Sequence, residues 1–105
     1  MSKRRIDFAK LGWRRKSAGA PEKRYARNGR TLRLVRFTDQ FSEEDWCQNG
    51  HVGMVLSGRL TIDFGREQIE YKAGDALFID AGAKDRHKTI IAPGEEATLL
   101  LFEGS

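Results

Sequence analysis

Cysteine, histidine and proline are scarce in this chain, whose 105 residues include one cysteine, two histidines and two prolines. A single cysteine cannot form an internal disulfide, so Cys47 is expected to be reduced and the protein to be cytoplasmic. No apolar run approaches the roughly 20 residues that span a bilayer. Residues 1–5 are basic but precede no apolar stretch, which argues against a secretory signal.

Charge is divided unevenly along the chain. Residues 1–36 carry 13 Lys/Arg and two acidic residues, a net of +11, and residues 37–105 carry 6 Lys/Arg and 13 acidic residues, a net of −7, which together give +4. A basic segment of this kind can contact nucleic acid or an anionic membrane surface. No helix-turn-helix, zinc-finger or RNA-recognition pattern accompanies it. We therefore favour packing against an acidic region of the same chain or of a second copy.

Short segments of alternating apolar residues, separated by 11 glycines, predict an antiparallel all-β domain. The clearest unit is a hairpin in which residues 59–64 and 67–71 are joined by the two-residue turn Gly65-Arg66. No helical period is sustained for three turns. We predict a partly ordered N-terminal arm over residues 1–20 and one domain over residues 21–105.

The remaining strands and turns follow the same alternation and punctuation. Strands are predicted at residues 22–27, 31–38, 76–79, 87–91 and 98–102. Turns are predicted at Asn28-Gly29, residues 73–75, residues 80–83 and Pro93-Gly94. Leu32, Leu34 and Arg36 share one face of their strand, and this mixed face indicates a sheet edge or a dimer contact. Tyr71 and Phe78 are predicted to lie in the core.

The stretch 45–51, Asp-Trp-Cys-Gln-Asn-Gly-His, contains the only cysteine and one of the two histidines. If this stretch is a strand, Cys47 and His51 lie on one face, because they are an even number of residues apart. Thiolate and imidazole are ligands of zinc and other transition metals. His87, in the polar cluster of residues 85–88, could complete such a site. The structural alternative is a buried small cysteine and hydrogen-bonded histidines.

Residues 50–60, GHVGMVLSGRL, and residues 73–82, AGDALFIDAG, resemble the two motifs of a small single-domain bacterial cupin of the RmlC-like cupin superfamily. Residues 46–58 resemble one group of these proteins, with the form Trp-Cys-x-x-Gly-His-x-Gly-x-Val-Leu-x-Gly. The resemblance covers residues 30–103. It implies a small antiparallel double-stranded β-helix, which is a jelly-roll-like barrel. This fold supports many chemistries, so the resemblance predicts the fold more sharply than the function.

The resemblance also implies where metal ligands would lie. The usual cupin pattern has two histidines and a glutamate in the first motif and a third histidine in the second, and by spacing these fall on Asp45, Cys47, His51 and Asp85. His87 lies two residues beyond Asp85, on the same face if this segment is a strand. We predict Cys47, His51, Asp85 and His87 as ligands, with Asp45 as an alternative. Zinc is most compatible with these donors, and iron, manganese and nickel are alternatives.

Two classes of function follow from these predictions. The first is a metal-dependent enzyme acting on a small polar or anionic substrate, with His87 or Asp85 as the proton-transfer group. The second is a non-catalytic module that binds or senses a small ligand, with or without a metal. Arg33 and Arg36 would hold a substrate carboxylate if they face inward and form ion pairs if they face outward. By analogy with the fold, we expect a homodimer.

Overall fold

Seven strands form the regular structure of residues 4–104, the part of the chain that the computed structural model describes. They are β1 (Glu22–Arg27), β2 (Arg30–Thr38), β3 (His51–Asp63), β4 (Gln68–Lys72), β5 (Ala76–Ile79), β6 (Lys88–Ile90) and β7 (Glu96–Gly104). Two single-turn 3₁₀ helices are Phe8–Lys10 and Ala83–Asp85. Neither is long or apolar enough to cross a membrane, and no other helix occurs among the described residues.

Two antiparallel sheets share the long strand β3. Its first half lies in a five-stranded sheet of order β1-β2-β7-β3-β5, and its second half pairs with β4 and β6. Because every strand pair is antiparallel and the shared strand passes from one sheet to the other, the sheets fold over a common interior. This arrangement confirms the predicted all-β, jelly-roll-like barrel.

A bulge in β3 marks the point where this strand changes sheets. The register between β3 and β7 shifts between Val55 and Ser57. Gly58 follows with a φ of 77°, a left-handed conformation that glycine adopts without steric cost. A Cβ at this position would also overlap the carbonyl oxygen of Glu96. Glycine therefore permits both the bend and the close approach of the two strands.

The core lies between the two sheets. Its ten buried members are all aliphatic: Val35, Val55, Leu60, Ile62, Leu77, Ile79, Ile91, Ala97, Leu99 and Leu101. Tyr71 packs against this cluster, as predicted. The prediction for Phe78 was wrong, because its side chain is 79% exposed. β5 alternates strictly, and Leu77 and Ile79 occupy its inward positions.

Most predicted strands and turns are confirmed. The Asn28-Gly29 turn has positive φ angles at both residues, as a tight hairpin turn requires. Residues 45–50 are not a strand, and β3 begins at His51. In the predicted N-terminal arm, Arg14 forms an isolated antiparallel bridge with Glu22 at the start of β1. Residues 1–3 of that arm lie outside the described residues, and the arm as a separate unit stays a prediction.

Candidate metal centre

Cys47, His51 and His87 converge inside the barrel. One ligand atom of each residue lies within 4.8 Å of those of the other two. The Cys47 Sγ and His51 Nε2 atoms are 4.0 Å apart, and the two imidazole rings meet edge to face with centroids 5.2 Å apart. All three side chains line a cavity of about 330 Å³. Three donors that can ligate a transition metal therefore share one cavity.

Two backbone hydrogen bonds bring Cys47 to His87. The amide of Cys47 donates to the carbonyl of His87 over 2.8 Å, and the amide of His87 donates to the carbonyl of Cys47 over 2.9 Å. His51 enters the cavity from the first position of β3, where it lies opposite Ile79 of β5. The predicted proximity of Cys47 and His51 therefore arises from a bridged loop rather than from alternation along one strand.

The tautomer of His87 is fixed by its backbone surroundings. The residue is 2% exposed, and its Nδ1 lies 3.0 Å from the carbonyl oxygen of Asp85. Because a carbonyl can only accept, Nδ1 carries a proton and donates it in this bond. In neutral His87 the lone pair is then on Nε2. A backbone carbonyl behind the ring is a usual partner of a metal-ligating histidine.

His51 has an unsatisfied polar atom. Its Nδ1 is buried without a hydrogen-bond partner and lies 3.9 Å from a carboxylate oxygen of Glu103. Burial lowers the pKa of His51, nearby His87 lowers it further, and the Glu103 carboxylate opposes both effects. Neutral imidazole is the form that binds a metal. If Nε2 ligates a metal, Nδ1–H is oriented toward Glu103.

An ion-pair network lies directly behind His51. The Arg33 guanidinium donates to Glu22 over 2.6 Å and to Glu103, so one arginine connects β1, β2 and β7. Burial by itself raises the pKa of Glu22, but the hydrogen bond and charge of Arg33, aided by Arg24 and Lys16, lower it below its usual value. The Glu22 carboxylate is therefore charged at neutral pH, and the same guanidinium holds the Glu103 carboxylate beside His51.

The two arginines considered as substrate ligands have different positions. Arg33 lines the cavity, but its guanidinium is engaged by two glutamates. Arg36 lies on the outer side of the same strand and pairs with Glu96 over 3.1 Å. Sequence reasoning missed the partners Glu22 and Glu103, because they are far from Arg33 along the chain and only strand register brings them to it.

The rest of the cavity has a polar and an apolar part. Polar lining is supplied by Lys16, Ser17, Glu43, Asn49 and Thr89. Apolar lining is supplied by Phe37, Phe41, Leu60, Ile62, Leu77, Leu99 and Leu101. Cavities of this size that combine an apolar wall with a few polar groups are typical of small-molecule sites.

The structure does not bring Asp85 to the other three predicted ligands. Asp85 ends the 3₁₀ helix Ala83–Asp85 and lines a separate outer groove, and only its backbone carbonyl contacts His87. The expected shared face of Asp85 and His87 requires a strand, and a 3₁₀ turn has a period of three residues rather than two. Asp45, the alternative ligand, is exposed. Three of the four predicted ligands therefore form the candidate centre, and metal binding by them stays a prediction.

The donor set fits a divalent metal ion. Tetrahedral zinc with sulfur at about 2.3 Å and nitrogen at about 2.0 Å places neighbouring ligand atoms about 3.5 Å apart. The observed separations of up to 4.8 Å therefore require side-chain movements of about 1 Å. The unpartnered Nδ1 of His51 and the fixed tautomer of His87 are both compatible with ligation through Nε2.

Sequence comparison identifies the family to which this barrel belongs. The Cupin domain family model matches residues 42–103, which is more than half of the chain. The chain belongs to the cupin family. No curated protein matches this cupin significantly. The finer group suggested by the Trp-Cys motif stays a prediction.

Solved structures share the fold of this cupin. The polyketide cyclase RemF from Streptomyces resistomycificus has 18% identity and a TM-score of 0.79, with 97% of this chain and 78% of that chain covered. A sugar phosphate isomerase from Silicibacter pomeroyi has 17% identity and a TM-score of 0.78, with 96% and 75% covered. A Rhizobium leguminosarum protein of unknown function has 17% identity and a TM-score of 0.74, with both chains fully covered. Likeness at these identities shows the fold alone.

Proposed function

We propose that this cupin binds a divalent metal ion through Cys47, His51 and His87 and holds a small polar ligand beside it in the barrel cavity. The observation that carries the proposal is the convergence of one thiol and two imidazoles within 4.8 Å in the barrel cavity. Zinc is the most compatible ion, and three protein ligands leave a coordination position for water or the small ligand.

The proposed site suits a metal-dependent enzyme acting on a small polar substrate. When bound, the metal would supply Lewis-acid polarisation of a ligand oxygen. The Asp85 carbonyl orients His87, Glu103 lies behind His51, and the aliphatic lining limits water on the other side of the ligand. Two fold neighbours are named as a polyketide cyclase and a sugar phosphate isomerase, so related barrels support enzymatic chemistry. The reaction class itself does not follow from fold likeness.

A second candidate function is the binding of a small ligand without a metal. One observation favours it: the Cys47 Sγ and His51 Nε2 atoms are 4.0 Å apart, within hydrogen-bonding distance for sulfur. A thiol that donates to Nε2 pairs these two atoms without an ion. The residues at the site would then orient the ligand through hydrogen bonds.

Elemental analysis of untagged protein purified without chelator separates the two functions. We expect a near-stoichiometric metal, or its uptake from Zn²⁺, Fe²⁺, Mn²⁺ or Ni²⁺, and its loss in His51→Ala and His87→Ala. Asp45→Ala is the matched control, because Asp45 is exposed and should not alter metal content. Substitution with Co²⁺ should give a thiolate charge-transfer absorption band that Cys47→Ser removes. Metal content unchanged in both histidine variants, or no uptake of any of the four ions, would overturn the metal site.

A further inference from the structure

A short loop before β1 forms part of the wall of the barrel cavity. The backbones of Arg14 and Glu22 form two hydrogen bonds, of 2.7 and 2.8 Å, so residues 15–21 leave and re-enter the fold at one point. We call residues 15–21 the mouth loop. Three of its residues line the same cavity as the three proposed metal ligands: Lys16, Ser17 and Ala20.

The far end of the mouth loop is fixed at Gly19. The carbonyl of Gly19 accepts a hydrogen bond from the amide of Thr38 over 2.8 Å. Gly19 has a φ of 73°, and a Cβ at this position would overlap the backbone nitrogen of Phe41. Glycine permits this conformation and this close approach. Because both ends of the loop are held, Lys16 and Ser17 between them have a defined position beside the cavity.

The mouth loop lies outside the segment that matches the cupin family model, which begins at residue 42. The proposed metal ligands lie inside that segment, since the match covers residues 42–103. A side chain of the loop can therefore determine which ligand binds while the metal ligands stay the same.

Lys16 differs from the other charged residues that line the cavity. The guanidinium of Arg33 is engaged by two glutamates, one of which is the cavity residue Glu22. A carboxylate oxygen of Glu43 accepts a hydrogen bond from the amide of Thr89 over 2.8 Å. Within residues 4–104, Lys16 makes no hydrogen bond or ion pair, although it attracts the Glu22 carboxylate at longer range. Its ammonium group is therefore available to a ligand.

Positive charge exceeds negative charge at this wall of the cavity. Lys16, Arg24 and Arg33 all act on Glu22, and together they lower its pKa although burial raises it. Glu103 is the second carboxylate of the group, 3.9 Å from a guanidinium nitrogen of Arg24. Three cations thus surround two carboxylates.

The charge of the whole cavity favours a ligand with a single negative charge. Glu43, which also lines the cavity, balances the excess cation. The proposed divalent metal, bound by a deprotonated Cys47 and two neutral histidines, would add one net positive charge. A monoanion would neutralise that charge, whereas a phosphate monoester carries more negative charge than the site balances.

The size and the apolar part of the cavity restrict the rest of the ligand. A volume of about 330 Å³ is near the lower end of the range of about 300–1,000 Å³ for small-molecule sites. Phe37 and Phe41 line it as a tilted pair with ring centroids 4.9 Å apart, and aliphatic core residues form the remaining apolar wall. Such a wall suits a compact hydrocarbon or aromatic group.

We propose that the mouth loop recognises the ligand of this cavity and that Lys16 pairs with the carboxylate of a small organic monoanion with an apolar body. The inference rests on the proposed function, because it takes the barrel cavity as the ligand site, and it adds the class of ligand. Lys16 is exposed, so its ammonium stays hydrated until the ligand arrives. A charge at the rim of a site assists capture and sets the orientation of the bound anion.

An NMR titration of the full chain with sodium benzoate tests the proposal. Benzoate should give saturable shifts of amide signals from cavity residues such as His51 and Thr89 as well as from the mouth loop. Neutral benzamide has a similar size and shape, and we expect it to bind at least about fivefold more weakly because it cannot form the ion pair. The preference for benzoate should decrease as salt is added.

Variants of Lys16 show whether its charge causes that preference. Lys16→Gln should raise the dissociation constant of benzoate about fivefold and leave that of benzamide unchanged, since a partly exposed ion pair contributes modestly. Lys16→Glu should raise it further, and Lys16→Arg should keep it within about twofold of the wild type. Arg15→Gln is the matched control, because Arg15 is an exposed neighbouring cation that does not line the cavity.

Three outcomes would overturn the proposal. The first is equal binding of benzoate and benzamide, or binding of neither. The second is equal benzoate affinity in Lys16→Gln and Arg15→Gln. The third is a set of benzoate shifts confined to the mouth loop, because the anion would then lie on the surface and not in the cavity.

Titrations of zinc-loaded and metal-free protein separate this inference from the proposed metal site. Elemental analysis should give the same metal content for Lys16→Gln as for the wild type, because Lys16 is not a proposed ligand. Benzoate binding that depends on Lys16 in a protein that takes up no metal would remove the metal and support the carboxylate site. Metal uptake without such binding would support the metal and overturn the carboxylate site.

Discussion

The two faces of the five-stranded sheet each carry some residues of the polarity that is unusual for that face. On the inner face, β3 and β7 carry His51 and Glu103 beside the cavity. On the outer face, the adjacent residues Val52 and Phe102 expose apolar surface. Burying polar groups is unfavourable unless they are paired, and exposing a large apolar patch is unfavourable unless it is covered. Both departures are therefore places where we expect binding.

We expect the largest difference in the free energy of unfolding between substitutions of a leucine on each face. Leu99 is 2% exposed in the core, whereas Leu56 is 48% exposed on the outer face. We expect Leu99→Ala to lower the free energy of unfolding by about 2–5 kcal/mol, because the cavity that it leaves is only partly refilled. Leu56→Ala should lower it by less than about 1 kcal/mol in a monomer.

Urea unfolding measures the free energy of unfolding of both leucine variants. Both variants are compared with the wild-type chain under the same conditions. Equal destabilisation by the two substitutions would show that the outer face is packed against the rest of the chain, contrary to this structure.

Ion pairs on the two faces give the next comparison. Arg33→Met leaves buried Glu22 without its main counter-charge and should destabilise the fold by about 3 kcal/mol at neutral pH. Arg36→Met removes the exposed pair with Glu96 and should cost no more than about 0.5 kcal/mol. Urea unfolding of both variants makes the comparison. If Glu22→Gln fails to relieve the effect of Arg33→Met, the buried charge is not its cause.

Local sequence patterns could predict most of the fold. The alternation in residues 59–64 and 67–71, together with Gly65, predicts the hairpin of β3 and β4, because side chains of a strand alternate between core and solvent. Alternation cannot tell which of two apolar faces of a strand lies in the core, so Phe78 was placed in the core although it lies outside it. The distinction depends on the neighbouring strands rather than on the segment itself.

The candidate site could be predicted only where its residues were chemically distinctive. Cys47, His51 and His87 were singled out because thiol and imidazole are rare in this chain, and the cupin pattern aligns with Cys47 and His51. The structure does not bring Asp85 to these three residues, and the 3₁₀ turn that contains it has no clear sequence pattern. Glu22 and Glu103 are two of 15 acidic residues, and only the strand register selects them.

A variant of Glu103 tests the proposed metal site on the inner face of the sheet. This prediction rests on the proposed function. Glu103→Gln removes the negative charge that lies 3.9 Å from His51 Nδ1. We expect metal affinity to fall about 10–100-fold, as for other partners that orient a ligating histidine. Glu96→Gln, at the opposite end of β7, is the control and should leave affinity unchanged. Competition with a chromophoric chelator measures the metal affinity of both variants. Equal affinities would mean that Glu103 does not contribute to metal binding.

The smallest effect should be a pH dependence of stability in the metal-free protein. Burial lowers the pKa of His51 below its ordinary 6.5, so the unfolded chain takes up a proton at a higher pH than the folded chain does. The free energy of unfolding should therefore be constant above about pH 6.5 and fall as the pH decreases through the folded-state pKa. Glu22, whose pKa is also lowered, contributes in the same direction only below its ordinary value of 4.5.

The two pH ranges are distinct. His51→Phe should therefore remove the pH dependence of stability in the upper range and leave that in the lower range unchanged. Urea unfolding from neutral pH to about pH 3 measures both ranges, and an unchanged upper slope in His51→Phe would mean that burial of this imidazole does not disfavour its protonation.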